Sequence, residues 1–286
     1  MTVQKTLVWA ITKLRETSPS PSLDAEVLFS FTLKKQKEFL YTHSEYQLTK
    51  NQRKKLNNLI NRRVKGEPIA YITNTKEFHG LDFFINKNVL IPRPETELLV
   101  EEVINKTLRQ KIKKTKFKIA DIGTGSGCII ISIAKSCKLK AISCYATDIS
   151  KPALAVAKKN AKKHKVKIKF LYGNLLEPLK NKKIDIVVAN LPYGWQQWKN
   201  NTSARTSGLK FEPQKALFAK ENGLYLYYKF FEQIAKRRQK PELILGEFDP
   251  RQKIGMQKSI KKHLPQYCLE IKKDLAKLDR MFILKL

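Results

Sequence analysis

The chain has 286 residues, a length that favours one catalytic domain with a small accessory domain and is short for three domains. Hydrophobic residues make up 42% of the sequence, enough for a core, while 57 Lys and Arg against 25 Asp and Glu give a formal charge of +32. This charge has two explanations. It can serve a polyanionic partner such as nucleic acid or a ribosome-associated factor, or it can reflect an AT-rich coding background that places lysine on solvated surfaces.

Several classes of protein are excluded by what the sequence lacks. No run of about 18 uncharged apolar residues is present, and the N-terminus leads into an amphipathic stretch rather than a signal sequence. The histidines are scattered, and the four cysteines have no paired close spacing of the kind found in zinc or redox sites. We expect a soluble cytoplasmic protein with free thiols, no metal site and no membrane contact.

Residues 1–75 are predicted to form a small all-helical N-terminal domain for substrate recognition. Apolar residues recur there at helical spacing, as at Leu7 and Ile11. Thr49 is placed to cap a helix that ends near Gly66. The alternative is a structural cap with no role in recognition.

Residues 76–115 are predicted to contain a hairpin and a lead-in helix. Short apolar stretches alternate with turn residues over 71–91, which favours a β-hairpin. Prolines at positions 92 and 94 hold the backbone extended before a helix that begins at Glu95. The lysine-rich segment 111–118 is then expected to be a solvated link to the next strand.

Residues 116–286 alternate between strands and helices, the pattern of a doubly wound α/β sheet. A helix is predicted at 225–238, and two closing strands, at 268–271 and 281–286, are predicted to form an edge hairpin. The five strands before that hairpin are predicted at 118–122, 141–147, 167–172, 184–189 and 242–247.

A glycine cluster, Gly123-Thr124-Gly125-Ser126-Gly127, follows the first of these strands and precedes a helical run. Glycine permits a sharp strand-to-helix turn and lets a ligand lie against bare backbone near the helix N-terminus. The spacing differs from the G-x-G-x-x-G dinucleotide fingerprint, and a Walker lysine is lacking. The cluster therefore favours S-adenosylmethionine over NAD or ATP as cofactor; a purely structural turn is the other interpretation.

Polar residues also follow the second and third predicted strands. Asp148 is placed to accept hydrogen bonds from both hydroxyls of a ribose, or else to cap the next helix. Asn174, followed by Leu175, is placed to reach the amino group of adenine, or else is an ordinary turn residue. We predict that these three residues bind the cofactor.

The fourth predicted strand ends in Asn190-Leu191-Pro192-Tyr193. Pro192 biases Leu191 towards an extended conformation, which turns successive carbonyls into the crevice. The Asn190 side-chain oxygen and the Leu191 carbonyl can accept hydrogen bonds from a planar NH2 group, on which Tyr193 can stack. We predict that Asn190, Leu191 and Tyr193 contact this NH2 group and that Asn190 and Tyr193 are catalytic. Without the glycine cluster, this tetrapeptide would indicate a plain strand-end turn.

The segment 195–207 combines two tryptophans, a lysine and a polar run. Such a composition is typical of a mobile loop. We expect it to act as a substrate lid over the crevice, and a long loop without that role is the alternative.

Six stretches, in order, resemble the release-factor glutamine methyltransferases, the PrmC/HemK family, over nearly the whole chain. They are residues 63–72, 77–80, 91–97, 121–127, 190–193 and 211–217. The resemblance implies a Rossmann-like class I S-adenosylmethionine-dependent methyltransferase domain after the helical domain. It also implies methyl transfer to the side-chain amide nitrogen of the glutamine in the Gly-Gly-Gln motif of peptide chain release factors, and thus a role in translation termination. By the same resemblance, Gly123 to Gly127, Asp148 and Asn190 bind the cofactor and Asn190 to Tyr193 bind the glutamine.

Two positions depart from the family pattern. Leu191 stands where the family usually has proline, and Asn174 where it usually has aspartate. A backbone carbonyl at position 191 serves whatever the side chain is. An amide oxygen at position 174 still accepts a hydrogen bond from an amino group, although the adenine contact is expected to be weaker.

Three alternatives stay open. The sequence Asn-Leu-Pro-Tyr also resembles ribosomal-RNA adenine dimethyltransferases, but these place their helical domain last and lack the segment 91–97. A related branch methylates a glutamine of a ribosomal protein, and a catalytically inactive module would bind S-adenosylmethionine without turnover. We expect a monomer whose helical domain helps dock a release factor, with weak RNA or ribosome contact through the basic surface.

Overall fold

The computed structural model describes residues 1–109, 117–137, 142–195 and 204–286. The chain divides into two compact units, of which the first comprises Met1–Thr75 with Thr202–Phe211 and the second Lys76–Asn201 with Glu212–Leu286. In the described ranges, no helix is both long and apolar enough to cross a membrane.

The first unit is helical, as predicted. Its helices are α1 (Val3–Leu14), α2 (Pro21–Leu33), α3 (Glu38–Thr42), α4 (Lys50–Val64) and α5 (Ile69–Thr73), with a 3-10 segment at Ala204–Phe211. Thr49 caps α4 as predicted, because its Oγ1 accepts from the Gln52 backbone N–H at 3.2 Å while Gln52 Oε1 accepts from the Thr49 backbone N–H at 2.9 Å. Fully buried side chains from three of the helices, including Leu14, Leu28 and Leu56, form its core.

A buried ion pair joins α2 to α4. Asp24 Oδ2 accepts hydrogen bonds from Arg63 Nε and from Ser18 Oγ, both at 2.6 Å. The side chains of Arg63 and Asp24 are 12% and 10% exposed. Removal of one partner would leave the other charge buried and uncompensated.

The second unit begins with a hairpin that is shorter than predicted. Its strands are β1 (Thr75–Phe78) and β2 (Leu81–Phe84), so the prediction of a hairpin over 71–91 is wrong at both ends. Tyr71 belongs to α5 and is buried there. Ile91 is also buried, but its backbone N–H donates to Glu212 Oε2 at 3.0 Å rather than to a strand. Tyr71 and Ile91 are therefore apolar because they are buried, and not because they belong to a strand.

A seven-stranded sheet forms the centre of the second unit. Its strands are β3 (Phe117–Ile122), β4 (Ile142–Asp148), β5 (Ile168–Tyr172), β6 (Ile186–Ala189), β7 (Leu243–Glu247), β8 (Cys268–Lys273) and β9 (Asp279–Lys285). Each of the five strands predicted before the closing hairpin is confirmed, with bounds that differ by no more than two residues. The strand order is β5-β4-β3-β6-β7-β9-β8, and the first five strands in this order run parallel to one another. The predicted closing hairpin is confirmed as β8 and β9, which run antiparallel to each other.

Helices alternate with most strands of this sheet, as in other α/β folds. They are α6 (Glu97–Arg109), α7 (Cys128–Ser136), α8 (Lys151–Lys163), α9 (Gln214–Leu217), α10 (Tyr225–Ala235) and α11 (Lys253–His263), with 3-10 turns at Pro94–Thr96, Glu177–Leu179 and Pro250–Gln252. The predicted helix at 225–238 is therefore confirmed as α10. Strand β3 pairs with β4 on one side and β6 on the other, so the order of the strands reverses there. In open α/β sheets, ligands bind at the carboxyl ends of the strands beside such a reversal.

We predict that Asp24→Ala lowers the free energy of unfolding of the first unit by about 3 kcal/mol, because Arg63 then stays buried without its partner. Urea denaturation followed by circular dichroism measures the change. The matched control is Glu45→Ala, because Glu45 is exposed. Equal stability of the two variants would contradict the assignment.

Candidate active site

A cleft of about 730 Å³ opens at the carboxyl ends of the parallel strands. This volume lies within the range of about 300–1,000 Å³ that is usual for small-molecule sites. The predicted site residues that line it are Gly123, Thr124, Gly125, Ser126, Asp148, Asn174, Leu175, Asn190, Leu191 and Pro192. Gly127 and Tyr193 are not among the described residues of the lining. The structure thus brings ten of the twelve predicted residues to one cavity.

The glycine cluster forms the turn from β3 into α7. Gly127 is the N-cap of α7 at φ 81°, and a Cβ there would lie 2.9 Å from Ile131 Cδ1 and 3.2 Å from Ala157 Cβ. A side chain at this position would therefore meet both backbone strain and a clash. The backbone N–H groups of Gly123 and Thr124 both donate to the Thr147 carbonyl, at 2.9 and 3.0 Å. These bonds fasten the turn to the end of β4.

Asp148 holds the same turn from its side chain. Its Oδ2 accepts from the Gly125 backbone N–H at 2.9 Å and its Oδ1 accepts from the Ser150 backbone N–H at 2.8 Å. Burial raises the pKa of Asp148, and these backbone hydrogen bonds oppose the rise. Each carboxylate oxygen can accept a second hydrogen bond, so the side chain still has acceptor capacity towards the cleft. The N-terminus of α8 is capped by Ser150, whose Oγ accepts from the Ala153 N–H.

Asn174 and Leu175 follow β5 on the same side of the cleft. Leu175 has a φ of 48°, which is uncommon for a residue other than glycine, and its carbonyl accepts from Thr147 Oγ1 at 2.8 Å. Asn174 Nδ2 donates to Glu177 Oε1 at 3.2 Å. The amide nitrogen of Asn174 is thereby used within the turn, while its oxygen is the group suited to accept a hydrogen bond from a ligand.

Asn190 follows β6, directly beside the glycine turn. In the sheet register Ala189 is opposite Ile122, so Asn190 and Gly123 leave neighbouring strands at the same level. Asn190 Nδ2 donates to Thr96 Oγ1 at 3.0 Å and to Glu247 Oε2 at 3.1 Å. Both amide hydrogens are therefore used, and the side-chain oxygen is the atom left for the cleft.

Leu191 and Pro192 continue the wall of the cleft. The Leu191 side chain is buried, and its Cδ2 would lie 3.1 Å from a Cβ placed on Gly123. The leucine that stands at position 191 in place of the family's usual proline therefore packs against the glycine turn. Tyr193 turns its hydroxyl to Glu247 Oε1 at 2.7 Å, so the prediction that its ring stacks on the substrate stays a prediction.

The sequence reasoning missed a set of side chains around Asn190. Glu247, at the end of β7, is 2% exposed and also accepts from Thr96 Oγ1 at 2.7 Å. Arg93, which also lines the cleft, donates to the buried Glu212 at 2.6 Å. The strand that ends in Glu247 marks its position, but its contact with Asn190 has no local signal. Segment 91–97 carries a local signal only in its prolines, and segment 211–217 stands out only through the resemblance.

Two further predictions concern lids and metals. Residues 196–203 of the predicted lid lie outside the described residues, so the lid stays a prediction. Within the described ranges, no group of three or more His, Cys, Asp or Glu residues is placed to hold a metal ion.

The chemistry of the cleft fits an adenosine-bearing cofactor. Gly125 has a φ of 55°, and a Cβ built there meets no atom within 4 Å, so the backbone stands open to the cavity. Asp148 supplies the acceptor capacity that ribose hydroxyls need, and Ile149 and Leu175 supply apolar surface beside it. A carboxylate acceptor between apolar walls and a bare backbone suits a nucleoside.

Beneath the turn, Asp121 is fully buried and accepts a hydrogen bond from Thr124 Oγ1 at 2.6 Å. Burial raises the pKa of Asp121 to about 7, against the lowering effect of the Thr124 hydrogen bond. Between its ordinary pKa near 3.8 and about 7, the folded protein binds the proton more tightly than the unfolded chain. The free energy of unfolding therefore falls as pH rises through this window.

We predict that Asp121→Asn, which keeps an acceptor for Thr124, flattens this dependence. As the pH rises from 5 to 8, the free energy of unfolding of the variant should increase by on the order of 2 kcal/mol relative to that of the unmodified protein. Urea denaturation at four pH values measures it, with the exposed Asp82→Asn as control. Parallel stability curves for all three proteins would show that Asp121 does not titrate in this range.

Comparison with known families agrees with this geometry. Residues 5–73 match the PrmC N-terminal domain and residues 96–207 match the methyltransferase small domain. A solved structure, the hMettl16 catalytic domain in complex with MAT2A 3'UTR hairpin 1, is 14% identical with a TM-score of 0.56, and the match covers 90% of each chain. At this identity the likeness concerns the fold alone, which is the Rossmann-like sheet of class I methyltransferases.

Relatives of known name match most of the sequence. A release factor glutamine methyltransferase of Dictyoglomus turgidum is 39% identical over 240 residues, which cover 82% of this chain and 81% of the relative. Another, of Bacillus cereus, is 32% identical over 284 residues, which cover 98% of each. The chain therefore belongs to the release factor glutamine methyltransferase family.

Proposed function

We propose that this protein transfers a methyl group from S-adenosylmethionine to the side-chain amide nitrogen of a release-factor glutamine, the glutamine of the Gly-Gly-Gln motif. The names of the relatives support the substrate, and the cleft supports the chemistry. The observation that carries the proposal is the orientation of Asn190. Its amide nitrogen is held by Thr96 and Glu247, which leaves an acceptor oxygen beside the glycine turn.

The cofactor would be held by the residues at the ends of β3, β4 and β5. The turn Gly123 to Gly127 would lie against it, Asp148 would accept from the ribose hydroxyls, and Asn174 with Leu175 would contact the adenine. Asn190 stands between this part of the cleft and the substrate. When bound, S-adenosylmethionine supplies a methyl group that is already activated by its sulfonium.

The strand end 190–193 would bind the glutamine amide. An amide nitrogen is a poor nucleophile because its lone pair is delocalised into the carbonyl. Hydrogen bonds from its two N–H groups to Asn190 Oδ1 and to the Leu191 carbonyl would favour a pyramidal nitrogen with a more available lone pair. Alignment and electrostatics then suffice for methyl transfer, and the proton leaves the nitrogen afterwards.

We predict that Asn190→Ala lowers kcat by at least about 100-fold, because the acceptor that orients the amide is lost. Transfer of labelled methyl from S-adenosylmethionine to purified release factor measures it. The control is Asn57→Ala, since Asn57 is exposed on α4. Turnover that survives in the Asn190 variant would refute its catalytic role.

Asp148→Ala should mainly weaken cofactor binding. We expect a Kd about 10–100-fold higher, because a charged acceptor for the ribose and a support of the glycine turn are lost together. Isothermal titration calorimetry with S-adenosylmethionine measures it, and Asp82→Ala is the control. An unchanged Kd would remove Asp148 from the cofactor site.

The decisive experiment compares substrates. Labelled methyl is offered to release factor, to ribosomal RNA and to ribosomal proteins in parallel. We expect label on release factor, lost when the Gly-Gly-Gln glutamine is replaced by alanine. Label confined to RNA would overturn the proposal and favour the RNA methyltransferase that the basic surface and Leu191 suggest. Tight cofactor binding with no transfer would indicate an inactive module.

A further inference from the structure

Glu247 joins three segments that meet at the wall of the cleft. Its carboxylate accepts hydrogen bonds from Thr96 Oγ1 at 2.7 Å, Asn190 Nδ2 at 3.1 Å and Tyr193 Oη at 2.7 Å. The side chain is 2% exposed, so water does not replace these donors. A buried carboxylate with three donors is a strong local constraint on all three groups.

The directions of these hydrogen bonds form a consistent set. Thr96 gives its hydroxyl hydrogen to Glu247 Oε2, so the Thr96 oxygen can accept from Asn190 Nδ2 at 3.0 Å. Asn190 Nδ2 gives its other hydrogen to Glu247 Oε2. Among the described residues, none donates to Asn190 Oδ1. The arrangement therefore presents an acceptor, and not a donor, to the cleft.

The opposite orientation of the Asn190 amide conflicts with the acceptor oxygens of Glu247. A turn of 180° about the last side-chain bond would place Oδ1 against the carboxylate, with two acceptors facing each other. It would also point the NH2 group at a substrate NH2, with two donors facing each other. Asparagine and glutamine amides take the orientation that their hydrogen-bond partners impose.

We propose that Glu247 is the positioning residue of this site: it fixes the Asn190 amide with its oxygen towards the cleft and so makes the site selective for a substrate that carries an NH2 donor. The inference rests on the proposed function, because it explains how the amide nitrogen is recognised. Glu247 itself does not line the cleft within the described residues. It acts through Asn190.

Burial and neighbouring groups act in opposite directions on the pKa of Glu247. Burial raises its pKa, while the hydrogen bonds from Thr96 and Tyr193 and the charge of Arg280 oppose the rise. Arg280 is itself paired with Asp274 at 3.0 Å. The Tyr227 hydroxyl donates to the backbone carbonyl of Glu247, which fixes the end of β7 beneath the carboxylate.

An exchange of chemical groups tests the inference. In Asn190→Asp, two carboxylates face each other, and in Glu247→Gln the acceptor can become a donor. The double variant restores a complementary pair, because a glutamine NH2 can donate to one oxygen of the new aspartate and leave the other oxygen as an acceptor towards the cleft. A glutamate that does not act on Asn190 offers no reason for such compensation.

The measurements are kcat for methyl transfer to release factor and the Kd of S-adenosylmethionine, at pH 8, for the unmodified protein, both single variants and the double variant. We expect Asn190→Asp to lower kcat by at least about 100-fold, and addition of Glu247→Gln to recover at least about tenfold of that loss. Glu247→Gln alone should cost less than about tenfold, since its remaining oxygen can still face Asn190 while its NH2 faces the Tyr193 hydroxyl.

Two outcomes would overturn the inference: a double variant no more active than Asn190→Asp, or an Asn190→Asp variant as active as the unmodified protein. Far-ultraviolet circular dichroism identifies variants that merely misfold, and the Kd separates a loss of cofactor binding from a loss of turnover. If the unmodified protein transfers no methyl to release factor, the proposed function fails instead. The midpoints of thermal unfolding then decide the inference, since Asn190→Asp should lower the midpoint and Glu247→Gln should restore it, and loss of that restoration would refute the pairing.

Discussion

Polar groups at the carboxyl ends of buried strands must find partners inside the protein, because water does not reach them. The second unit meets this requirement strand by strand. The end of β3 is tied to β4 by the hydrogen bond from the Gly125 N–H to Asp148, and the end of β6 is tied to β7 by the hydrogen bond from Asn190 to Glu247. Asn190 and the open backbone of Gly125 face the cleft, and they define what the cleft can recognise.

This division gives the two halves of the cleft different characters. On the β3 and β4 side, open backbone and one carboxylate suit a ribose and its base. On the β6 and β7 side, an amide with its nitrogen fixed and its oxygen available suits a donor group. The reversal of strand order between β3 and β6 places the two halves next to each other. In the proposed function, this adjacency would bring a methyl donor and a planar NH2 group to one place.

Much of this arrangement could be predicted from local sequence. Strand periodicity, the glycine cluster and Asn190 are short-range signals, since each depends on a few consecutive residues. Glu247 could not be predicted this way, because it lies 57 positions from Asn190 and meets it only through the pairing of β6 with β7. The error in the hairpin has a related cause. Ile91 is buried by packing and by its bond to Glu212, 121 positions away, which no local pattern indicates.

The segments on either side of residues 196–203 are held to each other by contacts other than the chain that joins them, including the pairing of β6 with β7. Gly194 and Ala219 exchange backbone hydrogen bonds with the opposite segment, at 2.8 Å from Gly194 N to Leu217 O and 2.9 Å from Ala219 N to Gly194 O. Glu212 joins the later segment to Ile91 and Arg93. A chain cut between residues 196 and 203 would therefore give two fragments that can reassemble. The first would carry the glycine turn and Asn190, and the second Glu247, so fragment complementation would restore the site only when both are present.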